Sequence, residues 1–451
     1  MTETVFLTLN PKVQELYKTL SDFVDYECIP AEKLYHHQLA PIGHPDRWKV
    51  IPPVIETLKA RAKALGLWNL FLPPAYGKYS PGFTNLEYAV LCELMGRSLL
   101  APEATNCGAP DTGNMEVFAK YGSEKQKDQW LKPLLNGDFR SAFAMTEPRV
   151  ASADATNIET HIARDDKNGQ YVINGRKWWI SGAGDPRCKV YLLMGKTDFN
   201  AKKHLQQSVV IVPADTPGIQ IIRPMLIFGY DDAAHGHCEI IFKDVRVPFE
   251  NIILGEGRGF EVVQGRLGPG TYTHHLSIHF TNEFILLEGR IHHCMRSIGL
   301  AERALEHHII RATDPSRKTF AKLIAEHNPN PIAESRIEID QARLLVLKAA
   351  DTIDKLGPKA ALKEIGMAKI IVPQMACRVI DRSIQAHGAA GVSQDFPMAY
   401  FYAMMRTLRI ADGPDEVHMK QVSVHELKRN ATLRDKYAKQ YDIETKLLAK
   451  L

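Results

Sequence analysis

Two short stretches decide how this chain is read: FAMTEPRVASAD, Phe143 to Asp154, and RKWWISGAG, Arg176 to Gly184. Both fall on predicted strands or strand ends, and both mix hydroxyls, aromatics and small residues, a surface against which a flat ring can lie. A Trp-Trp pair on its own is more simply a pair of core aromatics. The surrounding region, from about Arg140 to Ile253, is β in character: the short apolar runs YVING, KVYLLMG, SVVIVP and CEIIF alternate with Gly, Asp and Pro turns. Upstream, from Pro11 to about Gly137, the apolar spacing in VQELYKTLSDFVDY and VIETLKARAKALGLWNLF is helical. Downstream the chain is again helical. RIEIDQARLLVLKAADTIDKLG is its clearest amphipathic run, stopped by Gly357 and Pro358.

A chain of 451 residues with 45% hydrophobic and 24% charged residues has room for two or three domains with substantial cores. The formal net charge of +4 is small for that length, so no nucleic-acid footprint is expected. No run approaches about 18 consecutive apolar residues, so no membrane span is expected. Seven cysteines, odd in number and without paired spacing, point to reduced thiols.

Taken together, the two stretches resemble the flavin-facing signature of the acyl-CoA dehydrogenase family, roughly (F/C)-x-x-T-E-P-x-x-x-S-x-D followed by N-G-x-K-x-W-I-(T/S). The resemblance covers about residues 10 to 430. It implies a mostly α fold with a central β-barrel: an N-terminal helical domain at 1–139, a barrel at 140–253, and a C-terminal four-helix bundle at 254–430 ahead of a polar tail at 431–451. It also implies FAD. Thr146 and Ser181 would supply hydroxyls to the pyrimidine edge and N5, and Trp179 would cover the ring face away from substrate. Phe143, Met145 and Ile180 would complete that pocket, with Ser152, Arg290 and Gly413 on the side of an acyl-CoA substrate. Holding a flavin by its edge while water is excluded is the work such residues do.

The loop RIADGPDEVH, Arg409 to His418, should carry the base. Removing an α-proton from a thioester needs a carboxylate and a polarised carbonyl. Most of the family reads Y-E-G-T-S here with Glu as base, and the matching residue in this chain is Asp412. The A-D-G-P-D-E-V-H variant resembles a subgroup often fused in animals to a phosphotransferase-like kinase domain. Asp is one methylene shorter than Glu, so substrate or backbone must approach about 1.5 Å closer. Asp415 and Glu416 are rival carboxylates, and Glu416 matches a family position that contacts flavin. On pattern alone, Asp412 also fits as the cap of a helix starting at Pro414. Some family members place the base just before the arginine matched by Arg290; Gly289 stands there, which favours Asp412.

Arg317 and Phe320 resemble the R-x-x-F-G segment that reaches a neighbouring subunit's FAD, with Ala321 in place of the glycine. QAHGAAG, Gln385 to Gly391, resembles Q-x-H-G-G-x-G, with Ala389 replacing one glycine; Gln385 and Gly388 would approach the adenosine half of FAD. A homodimer or homotetramer is thereby implied, with electron-transfer flavoprotein or oxygen as acceptor. His274, His275, His279, His292, His293 and Cys294 crowd together without a zinc frame, so no metal is expected.

GRLGPG at 265–270 and RIHHC at 290–294 run together in the family, whereas here Thr271 to Gly289 separate them. A retained, in-frame intron accounts for this: Gly-Thr-Tyr can encode a GT donor, and Glu-Gly an AG acceptor. On that reading the mature protein joins Gly270 directly to Arg290. HNPNPIAESR at 327–336 is shorter than its counterpart in the family. The N-terminus, with Glu3 and no arginine before Arg47, is unlike a transit or signal peptide. Ala449-Lys450-Leu451 is a variant of the Ser-Lys-Leu peroxisomal address, with cytoplasmic or mitochondrial residence as alternatives. Two rival functions remain at this point: an acyl-CoA oxidase passing electrons to oxygen, and a catalytically impaired flavin or CoA-binding homologue.

Overall fold

The computed structural model describes residues 9–151, 154–267, 288–317 and 330–450. The suspected insertion lies outside them except for Glu288 and Gly289, as do residues 327–329 of the shortened segment.

The N-terminal helices begin where the sequence supplies caps. Asn10 accepts a bond from the Lys12 amide at 2.9 Å ahead of Pro11, opening the Pro11–Phe23 helix. Thr84 and Glu87 form a capping box for Asn85–Gly96. This second helix is buried almost all round and crosses Glu288–Ala312 at contact distance. A Cβ on Gly96 would overlap the Arg296 backbone, and one on Gly299 would overlap the Glu93 carbonyl. Only glycine permits that approach. Arg343, buried in the Asn330–Leu356 helix, ties the crossing with a bond to Glu93 at 2.9 Å and a second ion pair to Glu302. Glu288–Ala312, Asn330–Leu356 and Leu362–His387 pack on one another, and Met398–Thr407 and Asp415–Leu427 pack on the last of these.

Eight strands follow the N-terminal helices: β1 Arg140–Ala144, β2 His161–Asp165, β3 Gln170–Ser181, β4 Cys188–Lys196, β5 Gln207–Pro213, β6 Ile219–Met225, β7 His237–Pro248 and β8 Ile252–Ile253. Their order is β6-β7-β3-β2-β4-β5-β8, with β1 parallel to β4. The central unit is therefore an open sheet, and the expectation of a β-barrel is wrong. Closure needs the two edge strands to hydrogen-bond each other. Here the edges are β6, which pairs with β7, and the two-residue β8, which pairs with β5. The middles of β4 and β5, Val190–Met194 and Val209–Val212, are apolar because both faces are covered. Leu192, Met194, Val209 and Ile211 join the main core beneath the helices, while Leu193, Val210 and Val212 join a second core on the far face.

The expected polar tail is a helix, Asn430–Leu448, without a buried residue. Asp435–Lys439 and Asp442–Lys446 pair one turn apart along it, at 2.9 and 2.6 Å. All seven cysteines are buried and free. Among the described residues no helix is long and apolar enough to cross a membrane.

Candidate active site

A cleft of about 1850 Å³ separates the sheet from the helices, and both signature stretches line it. That exceeds the roughly 300–1,000 Å³ of an ordinary small-molecule pocket and suits two large ligands.

The sheet wall is built by stapling one stretch to the other. Lys177, wholly buried, donates to the Met145 and Met194 carbonyls at 2.8 and 2.7 Å and to Glu147 at 2.7 Å. Glu147 also accepts from the Glu159 and Thr160 amides and the Thr160 hydroxyl at 2.6 to 3.0 Å. Burial lowers the Lys177 ammonium to about 8, against the pull of Glu147. The sequence carries a signal for this pair in the Glu of the first stretch and the Lys of the second.

Between Lys177 and Ile180 the β3–β7 register slips, and Trp179 adopts φ +56°. A bulky side chain rarely takes that conformation. The bulge turns its ring outward, leaving Trp179 39% exposed on the cleft wall and edge-on to His237. Such an outward-facing ring at a strained position fits a flat aromatic ligand lying against it. Phe143 and Met145 line the same wall, whereas Ile180 faces the far core. The expected hydroxyls are present but engaged: Thr146 donates to the Trp178 carbonyl, and Ser181 lies 2.9 Å from His237 Nδ1. Burial holds His237 near 4, hence neutral.

The helical wall carries the base loop. Asp412 has φ +56°, a conformation that Asp tolerates better than most residues, and Gly413 follows at φ +102°. A Cβ on Gly413 would come 2.8 Å from the buried His418 ring. Lys369, buried in Leu362–His387, holds the loop by donating to the Leu408 and Ala411 carbonyls, the latter at 2.8 Å. Asp412 does not cap the next helix, which starts at Asp415 after Pro414 without a side-chain cap. Its carboxylate lies 3.2 Å from His293 Nε2. Arg290 is buried nearby, and its Nε and Nη1 have no hydrogen-bond partner among the described residues. Burial lowers its guanidinium to about 10, while Asp412 acts in the opposite sense.

The rival carboxylates fall away. Asp415 is bound by Arg409 at 2.7 Å and Gln374 at 3.0 Å. Glu416 is exposed in the first turn of Asp415–Leu427 and does not line the cleft, contrary to its expected flavin contact. Gln385 and Gly388 lie at the end of Leu362–His387, away from the cleft lining. Arg317 closes the short turn Pro315–Arg317. Ser152 and Phe320 lie outside the described residues, though Val150 and Ala151 line the cleft. His293, Arg296 and Lys369 are the site residues that sequence reasoning missed. His293 was seen only as one of a crowd of histidines.

A three-part chain of helices, sheet and helices, with Asp412 and the outward-facing Trp179 lining one cleft, defines the class of fold. Comparison with known proteins makes this specific: the acyl-CoA dehydrogenase N-terminal, middle and C-terminal domains match residues 10–138, 142–245 and 278–426, and the chain belongs to the acyl-CoA dehydrogenase family. Mouse acyl-CoA dehydrogenase family member 10 is 53% identical over 433 residues, which are 95% of this chain and 38% of that protein. Human acyl-CoA dehydrogenase family member 11 is 49% identical over 425 residues, 93% of this chain and 51% of that protein. The chain thus spans about half or less of the length of these two relatives. A solved Mycobacterium abscessus structure superposes with a TM-score of 0.83 at 44% identity, covering 93% of this chain and 99% of its own.

Proposed function

We propose that this protein is an FAD-dependent acyl-CoA dehydrogenase that converts an acyl-CoA thioester to its trans-2-enoyl-CoA. The observation that carries the proposal is Asp412, the ligand-facing carboxylate opposite Trp179 across the cleft, with its rivals Asp415 and Glu416 otherwise placed. When bound, FAD supplies the acceptor for the hydride leaving the β-carbon. Trp179, Phe143 and Met145 provide the wall for its ring, and Ser181 with Thr146 the polar edge. Asp412 removes the α-proton through a carboxylate oxygen. Arg290, whose Nε and Nη1 have no hydrogen-bond partner among the described residues, binds the anionic or carbonyl groups of the CoA thioester.

The Ala-Asp-Gly-Pro-Asp-Glu-Val-His loop supports reading the protein as one of the subgroup often fused in animals to a phosphotransferase-like kinase domain. Electron-transfer flavoprotein takes the electrons in a homo-oligomeric dehydrogenase. A peroxisomal oxidase would pass them to oxygen. Anaerobic mixing of the FAD-loaded protein with butyryl-, octanoyl- and palmitoyl-CoA tests the reading. Wild type bleaches with at least one thioester, and D412N does so about 10²–10⁴-fold more slowly. Equal rates would refute the assignment of the base.

A further inference from the structure

Asp412 does not stand alone. Its Oδ2 is 3.2 Å from His293 Nε2, and on the other side of the same ring His293 Nδ1 is 3.2 Å from Arg296 Nη2. An arginine can only donate, so Nδ1 must accept. The ring's one proton then sits on Nε2 and points at the carboxylate. Arg296 is itself anchored, with Nη1 3.5 Å from the Cys107 carbonyl and 3.7 Å from Cys92 Sγ. Positions 290, 293 and 296 recur at helical spacing on Glu288–Ala312, so one face carries the whole set. That face is fixed by the Gly96–Gly299 crossing described above.

We propose that His293 is a positioning residue for the base, donating from Nε2 to Asp412 with its tautomer set by Arg296. This rests on the reading of Asp412 as base. Because Asp412 sits on a left-handed loop residue with a short side chain, nothing in its own backbone fixes the carboxylate's direction. The imidazole does so through Oδ2.

His293 is not itself a base in this arrangement, since Nδ1 is taken by Arg296 and Nε2 already carries its proton. Burial, then the Arg296 charge, lowers its pKa from the ordinary histidine value, while Asp412 acts in the opposite sense. The other groups facing this centre are Arg290, Cys294 and Arg296 on the same helix, Lys369 on Leu362–His387, and His418 on Asp415–Leu427. Asp415 is turned to Arg409. All of these remain when His293 is changed, so the substitution removes the bond to Asp412 together with the bond from Arg296 and leaves the surrounding charges in place.

Anaerobic flavin reduction by the same three thioesters, followed across mildly acid to alkaline pH, separates the two readings. H293L should react about tenfold or more slowly, with little change in KM. Its acid limb should move up by about one pH unit, because a carboxylate that loses a donor is more easily protonated. H293Q, which keeps an N–H at the reach of Nε2, should recover most of the rate. If D412N is slow but H293L matches wild type in rate and pH profile, the inference about His293 is overturned and the base assignment stands. If D412N matches wild type, it is the base assignment that fails. A readout independent of turnover is the imidazole ¹⁵N spectrum of His293, assigned by its loss in H293Q. Protonated Nε2 with unprotonated Nδ1 is expected, and protonated Nδ1 would overturn the inference even if H293L does not fold.

Discussion

Two charge clusters, one buried within the sheet and one on the helical wall of the cleft, are built to opposite ends. At Glu147–Lys177 the ammonium's three donors meet three acceptors, and the carboxylate accepts from two amides and a hydroxyl as well. Around Asp412 the cations outnumber the carboxylate, and two donor atoms of Arg290 point at nothing in the chain's described residues. A saturated cluster is scaffold, holding the two signature stretches in register. An unsaturated one is expensive to bury and makes sense only if something else completes it.

The sharpest way to break this contrast is to exchange the roles by mutation. K177M should cost about 3–5 kcal/mol, because Glu147 is left charged and buried; it should lower the melting temperature by several degrees and weaken FAD retention. D412N, by contrast, should melt like wild type. If K177M melts normally, the cluster is not the staple described here. A smaller effect is expected at R290M: weaker binding of CoA thioesters by about tenfold or more, read by titration of the flavin spectrum, with FAD content unchanged. Unchanged thioester affinity would show that the Arg290 guanidinium serves the fold.

The smallest effect concerns acid. Burial lowers His237, beside Ser181, and His418, behind Gly413, to about 4. Their folded values lie below the unfolded value of about 6.5, so the unfolded chain takes up protons first. Stability from these groups is therefore whole above that value and is lost as pH falls toward 4. The urea midpoint at pH 5 should lie below that at pH 7, and H418N should flatten the difference. A midpoint independent of pH would contradict the buried, neutral state of both rings.

How legible this was from sequence differs from element to element. The runs KVYLLMG and SVVIVP read as strands because they are short, apolar and bounded by turns, and RIEIDQARLLVLKAADTIDKL read as a helix from its spacing; β4, β5 and Asn330–Leu356 occupy those places. Whether the sheet closes was not legible. Closure depends on which edge strands meet, and the alternation within each strand is the same in an open sheet as in a barrel. Glu416 was misplaced for a related reason: on a helix whose first turn lies at the surface, a one-position step moves a side chain from cleft to solvent.

By itself, the sequence determined the order of helical, β and helical parts, the family, and the loop that carries Asp412, because each depends on local pattern or on a contiguous motif. Only the tertiary structure decided that Asp412 takes a left-handed turn, that Lys369 clamps its loop, that His293 and Arg296 stand behind it, and that Lys177 reaches Glu147 thirty residues away. Those pairings join segments distant in the chain. Their geometry is set by how closely helices cross and where a strand bulges, which no local spacing records.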